Sequence, residues 1–263
     1  MKNKSSKNSW RIWDKATGYS DILYRRATGE LTEMESAKSL CRLLKPIYKH
    51  GMKVLDVGCG AGHYLRSLRL RLDKNMDYTG VDATKYSIDL AKKAFGGTAK
   101  FLKGDIQDLK FADGAFDIVT CNNVLLHLPP PPAKVLAELV RVAKKYVVIR
   151  TVFGQRNYVI REVRQPGEGS KKPTDRGTKG KTELFGRNGE PLSYNYFNMY
   201  TEEYLKYEIS KIGKNLKVAV AADDRRVKFD NRKIAGELAT KVVNGRQVSG
   251  NLLLDWRFII IKK

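Results

Sequence analysis

Short apolar runs alternate with amphipathic stretches through the middle of this chain. Runs of five to seven residues rich in Val, Ile, Leu and Phe predict buried strands over residues 53–57, 77–82, 99–103, 116–122 and 145–151. Between them, apolar residues recur every three or four positions, which predicts helices over residues 62–72, 87–95 and 133–143. Strands that alternate with helices indicate a doubly wound α/β fold with a mostly parallel sheet.

The segments on either side of this core add helices and strands. Before it, apolar residues at helical spacing over residues 21–44 predict one or two N-terminal helices, broken near Gly29. After it, residues 201–212 predict a helix, and residues 216–222 and 252–261 predict two more strands, which makes a seven-stranded sheet. A short helix is expected over residues 232–243.

Residues 153–200 break the alternating pattern. Residues 167–181 are rich in Gly, Lys and Arg, and the stretches 158–163 and 192–199 on either side of them can each form a strand. We therefore expect an inserted β-hairpin arm or lid with a basic tip after the fifth strand. The chain divides into an N-terminal tail with cap helices (1–50), a core (51–152), this arm (153–200) and a C-terminal part of the core sheet (201–263).

The end of the first predicted strand carries the most informative motif. An acid, Asp56, is followed by glycines at alternating positions: Gly58, Gly60 and Gly62. Such a turn lets the backbone approach a ligand closely, and the helix after it directs its amide dipole towards that ligand. Loops that hold a pyrophosphate have the spacing G-x-G-x-x-G instead. A carboxylate at this place repels a pyrophosphate and suits a cation, such as a sulfonium compound with a free amino group.

In these residues the chain resembles the class I (Rossmann-like) S-adenosylmethionine (SAM)-dependent methyltransferases. Asp82, at the end of the second strand, is placed to accept hydrogen bonds from both ribose hydroxyls of an adenosine. The resemblance implies that Asp105 takes the adenine amino group, that the backbone amide of Ile106 meets the ring, and that Asn122 lies near the methionine end of SAM. It also implies that the last strand is antiparallel and lies beside the fifth.

Methyl transfer needs alignment of donor and acceptor and, where necessary, removal of a proton from the acceptor. His127, five residues beyond Asn122, is the histidine expected near the donor methyl, where a neutral imidazole serves as general base. The alternative is a histidine at the start of a helix that bonds only to nearby backbone. His63, just past the glycines, is expected at the surface or in contact with backbone. The Asp-rich magnesium cluster of catechol-type methyltransferases is missing, so we expect no metal.

Composition widens the choice of acceptor. Fifty basic residues against twenty-eight acidic give a net charge of +22. Either this charge attracts polyanions such as RNA, or the basic residues are simply solvated side chains at the surface. The motifs after the third and fourth strands look like those of the small-molecule branch, which includes quinone and natural-product enzymes. The expected function is methyl transfer to an O or N atom of a small, anionic acceptor, and the alternative is an RNA methyltransferase. Three cysteines without metal spacing suit a reducing, cytoplasmic location.

Overall fold

The computed structural model describes residues 17–163, 184–223, 241–243, 246–249 and 252–263. Its helices are α1 (Thr17–Thr28), α2 (Glu35–Leu44), α3 (His63–Arg71), α4 (Lys85–Phe95), α5 (Ala133–Val142) and α6 (Glu202–Ser210). Its strands are β1 (Lys53–Val57), β2 (Asp77–Asp82), β3 (Lys100–Lys103), β4 (Phe116–Asn122), β5 (Ala143–Phe153), β6 (Arg161–Val163), β7 (Tyr194–Tyr196), β8 (Lys217–Ala222), β9 (Lys241–Val243), β10 (Arg246–Ser249) and β11 (Leu252–Lys262). In the part of the chain described here, no helix has the length and apolar character needed to cross a bilayer.

Seven strands form the body of one sheet, in the order β3-β2-β1-β4-β5-β11-β8. The first five run parallel to one another, and β11 is antiparallel to both of its neighbours, β5 and β8. The predicted doubly wound, mostly parallel α/β sheet with an antiparallel last strand beside the fifth is thus confirmed. The strand order reverses between β1 and β4, which opens a crevice at the carboxyl ends of the central strands.

Alternate residues of the central strands face two separate layers of helices. Leu55 and Ile149 face a core cluster that includes Leu136 of α5, whereas Val54 and Val148 face a second cluster made with α2, α3 and α4. All five of these side chains are fully buried. Burial on both faces explains why the strands appear in the sequence as continuous apolar runs without polar alternation.

The sheet has two more strands than predicted, and they lie next to the amino end of β11. The ladder with β5 begins at Asp255, so residues 252–254 extend beyond it and pair with β10, which in turn pairs with β9. An extended edge that lies outside the main ladder recruits further strands because its backbone groups need partners. The helix predicted over 232–243 is therefore wrong at its end, where residues 241–243 form β9; residues 232–240 lie outside the described part.

The two strands expected in the arm pair with each other. β6 and β7 form an antiparallel ladder that continues to a bridge between Tyr158 and Met199. Ile160 and Phe197 pack against a small cluster that contains Leu126 from the segment after β4, so the base of the arm rests on the core. The basic tip at residues 167–181 lies outside the described residues, and the role of lid and the domain boundaries stay predictions.

The turn between β1 and α3 depends on the absence of a side chain at Gly62. This residue has φ +81°, and a Cβ atom placed on it would lie 2.7 Å from Phe95 and 3.2 Å from Phe101. The two rings stack with their centroids 5.6 Å apart and occupy the space beside the turn. Gly62 therefore allows α3 and α4 to close against the sheet.

We expect Gly62→Ala to destabilise the protein more than a matched change at Gly97. Gly97 has φ +84° with no atom within 4 Å of its missing Cβ, so Gly97→Ala reports backbone strain alone, about 1 kcal/mol. Gly62→Ala adds the clash with the buried Phe101 ring and the partly buried Phe95 ring, about 1–3 kcal/mol more. Urea unfolding measures both, and equal costs would contradict the assigned packing role.

Candidate functional site

A cavity of about 370 Å³ lies at the carboxyl ends of β1, β2, β3 and β4. Parallel strands bring their carboxyl ends to one edge of the sheet, so residues far apart in sequence meet there. Seven of the nine predicted site residues line it: Gly58, Gly60, Asp82, Asp105, Ile106, Asn122 and His127. Asp56 and Gly62 do not. No three His, Cys, Asp or Glu side chains come together as a possible metal site within the described ranges.

Asp82 joins the glycine turn to the end of β2. Its Oδ2 accepts a hydrogen bond from the backbone N–H of Gly60 at 2.9 Å, and its Oδ1 accepts one from Thr84 N at 2.8 Å. The backbone N–H of Gly58 donates to Val81 O at 2.7 Å beside this contact. These bonds fix the carboxylate at the cavity wall, within reach of a ligand that donates hydrogen bonds.

Asn122 ends β4 with a buried amide whose hydrogen-bonding capacity is not fully used. The residue is 6% exposed and lines the cavity; its amide lies near the Asp56 carboxylate and lowers the pKa of that group, but neither Nδ2 nor Oδ1 makes a hydrogen bond of normal length. An unsatisfied buried amide is unfavourable, and such groups are rare unless a ligand or water supplies the partner. Asn122 therefore indicates a polar ligand group at this end of the cavity.

Asp56 lies beneath the cavity and contacts the protein interior. Its carboxylate accepts hydrogen bonds from Tyr78 Oη at 2.7 Å and Thr120 Oγ1 at 2.9 Å. Burial raises the pKa of Asp56 to about 6, and the interactions with Tyr78, Thr120 and Asn122 lower it in part. A direct contact between Asp56 and a ligand stays a prediction; in this structure the acid braces the strand ends that form the cavity floor.

The two residues after β3 differ in environment. Asp105 is exposed, and its Oδ1 accepts a hydrogen bond from Gln107 N at 2.9 Å, which orients the carboxylate at the cavity rim. Ile106 is 8% exposed and offers an apolar surface beside it. A polar rim next to an apolar surface suits a planar heteroaromatic ring with an exocyclic amino group.

His127 contacts the arm as well as the cavity. Its Nδ1 lies 2.9 Å from the backbone oxygen of Tyr196 in β7. A carbonyl oxygen only accepts, so a neutral His127 carries its proton on Nδ1 and its lone pair on Nε2. The backbone that binds His127 is 69 residues away in sequence, not in the adjacent helix start.

Helix α1, one of the expected cap helices, supplies part of the cavity wall. Tyr19, Ser20 and Leu23 line the cavity, and Ser20 Oγ lies 2.8 Å from Ser87 Oγ of α4. Tyr19 is 45% exposed, yet the surrounding protein atoms desolvate its hydroxyl and raise its pKa. Both observations are expected for a ring that is enclosed by protein and faces a cavity. Its only signal in the sequence is an aromatic residue at the start of a helical stretch.

His63 also lines the cavity, so its expected place at the surface is wrong. It is 8% exposed, and its Nδ1 has no hydrogen-bond partner. Burial lowers the pKa of His63 to about 3, with a smaller contribution from the charge of Arg26. The imidazole is therefore neutral near pH 7 and adds no positive charge to the site.

Known proteins share this arrangement of strands and turn. Residues 55–149 match the sequence model of a family described as a methyltransferase domain. These residues are thus similar to a methyltransferase domain. The solved structure of magnesium protoporphyrin IX methyltransferase from Synechocystis PCC 6803 with bound SAM aligns with 99% of this chain and 99% of its own, at a TM-score of 0.57 and 14% identity. At that identity the likeness shows the fold alone.

Relatives with named activities match the methyltransferase domain over part of their length. A sterol 24-C-methyltransferase of Neurospora crassa is 37% identical over 101 residues, 36% of this chain and 26% of that protein. A ubiquinone biosynthesis O-methyltransferase of Chromobacterium violaceum is 38% identical over 91 residues, 33% of this chain and 38% of that protein. The chain therefore spans well under half the length of these curated relatives.

Asp56 makes the stability of the folded protein depend on pH. Its pKa rises from an ordinary value of 3.8 to about 6 on folding, so the folded protein keeps a proton there that the unfolded chain loses. The stabilisation that this proton confers is complete below about pH 4 and lost as the pH rises to about 6.

At each pH, the free energy of unfolding of Asp56→Asn is subtracted from that of the wild type. We expect this difference to fall by about 1–3 kcal/mol when the pH is raised from 4 to 7. Asn keeps the shape of the side chain and does not titrate. Urea unfolding of both proteins at each pH gives the difference, and a constant difference would contradict a raised pKa at Asp56.

Proposed function

We propose that this protein is a SAM-dependent methyltransferase that transfers a methyl group to an O or N atom of a small acceptor. The observation that carries the proposal is the convergence of Asp82, Asn122 and the glycine turn on one cavity. Each supplies a feature that an adenosyl sulfonium compound needs: an acceptor for ribose hydroxyls, a polar partner for its amino-acid end, and a closely approaching backbone.

In this proposal the cavity residues hold SAM from one end to the other. We assign the ribose to Asp82, which the Gly60 and Thr84 amides orient. We assign the adenine to Asp105 and Ile106, and the methionine end to the buried amide of Asn122. When bound, SAM supplies an activated methyl group on a cationic sulfur. The protein aligns the acceptor with that methyl and shields both from water.

His127 is our candidate general base. The contact of its Nδ1 with Tyr196 O directs the lone pair of the imidazole to Nε2, and His127 lines the cavity beyond Asn122. The ring also meets Phe197 edge to face, with centroids 6.1 Å apart, which restrains its plane. A base held in one tautomer and one orientation is ready to take a proton from a hydroxyl or amine as the methyl arrives.

The small acceptor is supported by the relatives, one named for sterol and one for ubiquinone biosynthesis. Its negative charge is inferred only from the net charge of +22. The same charge is the reason to keep RNA as the alternative acceptor, because a basic surface binds phosphates.

Asp82→Ala is expected to weaken binding of S-adenosylhomocysteine (SAH) by about 100-fold, since a site built to bond two hydroxyls loses its acceptor. The matched control is Asp77→Ala, which removes an exposed acid from the opposite end of the same strand and leaves affinity unchanged. Isothermal titration calorimetry measures both. Near-normal affinity of Asp82→Ala would exclude this placement of the ribose.

His127→Asn is expected to lower methyl transfer by about 100-fold or more while SAH affinity stays within about twofold. The Asn amide can still donate to Tyr196 O but has no basic nitrogen. Transfer is followed with methyl-labelled SAM, on a small-molecule extract and on bulk RNA in parallel.

The label identifies the acceptor class. Counts in the small-molecule fraction support the proposal, whereas counts that ribonuclease releases would establish the RNA alternative. Full activity of His127→Asn would show that His127 is not the base.

A further inference from the structure

A buried arginine lies behind the turn that follows β4. Arg150 of β5 is 1% exposed, and its Nε and Nη2 donate to Asp223 Oδ2 at 3.0 and 2.5 Å. Its guanidinium also stacks over the Trp256 ring, 4.0 Å from the centroid. The side chains of Arg150 and Asp223 are each 1% exposed, and the charges of this pair cancel. The pair is thus fixed by contacts on three sides and adds no net charge.

Arg150 binds Asn123 twice. Its Nη1 donates to Asn123 Oδ1, and its backbone oxygen accepts from Asn123 N at 3.0 Å. Asn123 has φ +60°, and it is the non-glycine residue with a positive φ in the described part of the chain. The left-handed conformation is unfavourable for most residues and tolerated best by Asn, Asp and Gly. The two bonds to Arg150 compensate for it.

This conformation seats the turn on the glycine motif. The chain bends at Asn123, and the Val124 side chain lies directly against Gly58, where a Cβ atom would be 2.2 Å from Val124 Cγ2. Asn122, Asn123 and Val124 all line the cavity. The backbone that carries the Asn122 amide, which also approaches Asp56, and the path of the chain towards His127 are therefore held at Asn123.

We propose that Arg150 is a positioning residue that acts through Asn123 to hold the Asn122 amide against the methionine end of the cofactor. The inference rests on the proposed function. If the ion pair between Arg150 and Asp223 were purely structural, ligand affinity would not depend on the bond between Arg150 and Asn123. The proposed positioning role makes ligand affinity depend on that bond.

The test is Asn123→Gly. Glycine adopts a positive φ without strain and leaves Arg150 paired with Asp223, so this variant removes the side-chain acceptor at the cavity wall and keeps the backbone bond to Arg150; hydrogen exchange of the turn separates lost positioning from a lost ligand contact. Asn188→Gly is the matched control: Asn188 lies in the exposed turn before Glu190, whose backbone N–H donates to its side chain at 3.2 Å. SAH affinity is measured by calorimetry, global stability by thermal unfolding, and local order by hydrogen exchange of the amides of residues 123–128.

We expect Asn123→Gly to weaken SAH binding by about fivefold to tenfold and to speed exchange in residues 123–128, with a melting temperature within about 3 °C of the wild type. Asn188→Gly should change neither affinity nor this exchange. Wild-type affinity in Asn123→Gly would overturn the inference while leaving the proposed function intact. If the wild type itself does not bind SAH, the proposed function is wrong, and the inference that rests on it is wrong with it.

Discussion

The reversal of strand order between β1 and β4 is the constraint on which the site depends. Because β2 lies on one side of β1 and β4 on the other, the connections after these strands diverge and leave a crevice at their carboxyl ends. The glycine turn, Asp82 and Asn122 all follow the ends of these three strands. The topology of the sheet thus determines where the cavity lies. The sequence needs only to supply a polar residue or a glycine after the end of each of these strands.

Much of this arrangement follows from local patterns. The five parallel strands are buried on both faces, so they appear as continuous apolar runs, and polar residues at their ends mark the cavity edge. Asp82 is predicted in this way, whereas Asn122 is implied by the family resemblance. Gly62 shares the spacing of the other glycines, but its environment is two phenylalanine rings from distant segments. No local pattern distinguishes a glycine that meets a ligand from one that meets the core.

Contacts between distant segments account for the rest. Tyr19 and Ser20 reach the cavity only because α1 packs across α3 and α4, and β9 exists only because β11 extends beyond β5. The bond between Arg150 and Asn123 joins adjacent strands through a side chain whose burial a sequence does not display. An arginine in a β-branched run is a signal of such a contact, since a buried guanidinium needs partners.

The contact between His127 and Tyr196 makes the acid–base character of the imidazole depend on the arm. While β7 stays in place, its carbonyl keeps the ring proton on Nδ1. If that strand moves away, the proton is free to transfer to Nε2, and the nitrogen that accepted a proton becomes one that donates. A displacement of the arm would then switch the histidine between two chemical forms without any change in pH or in the cofactor residues.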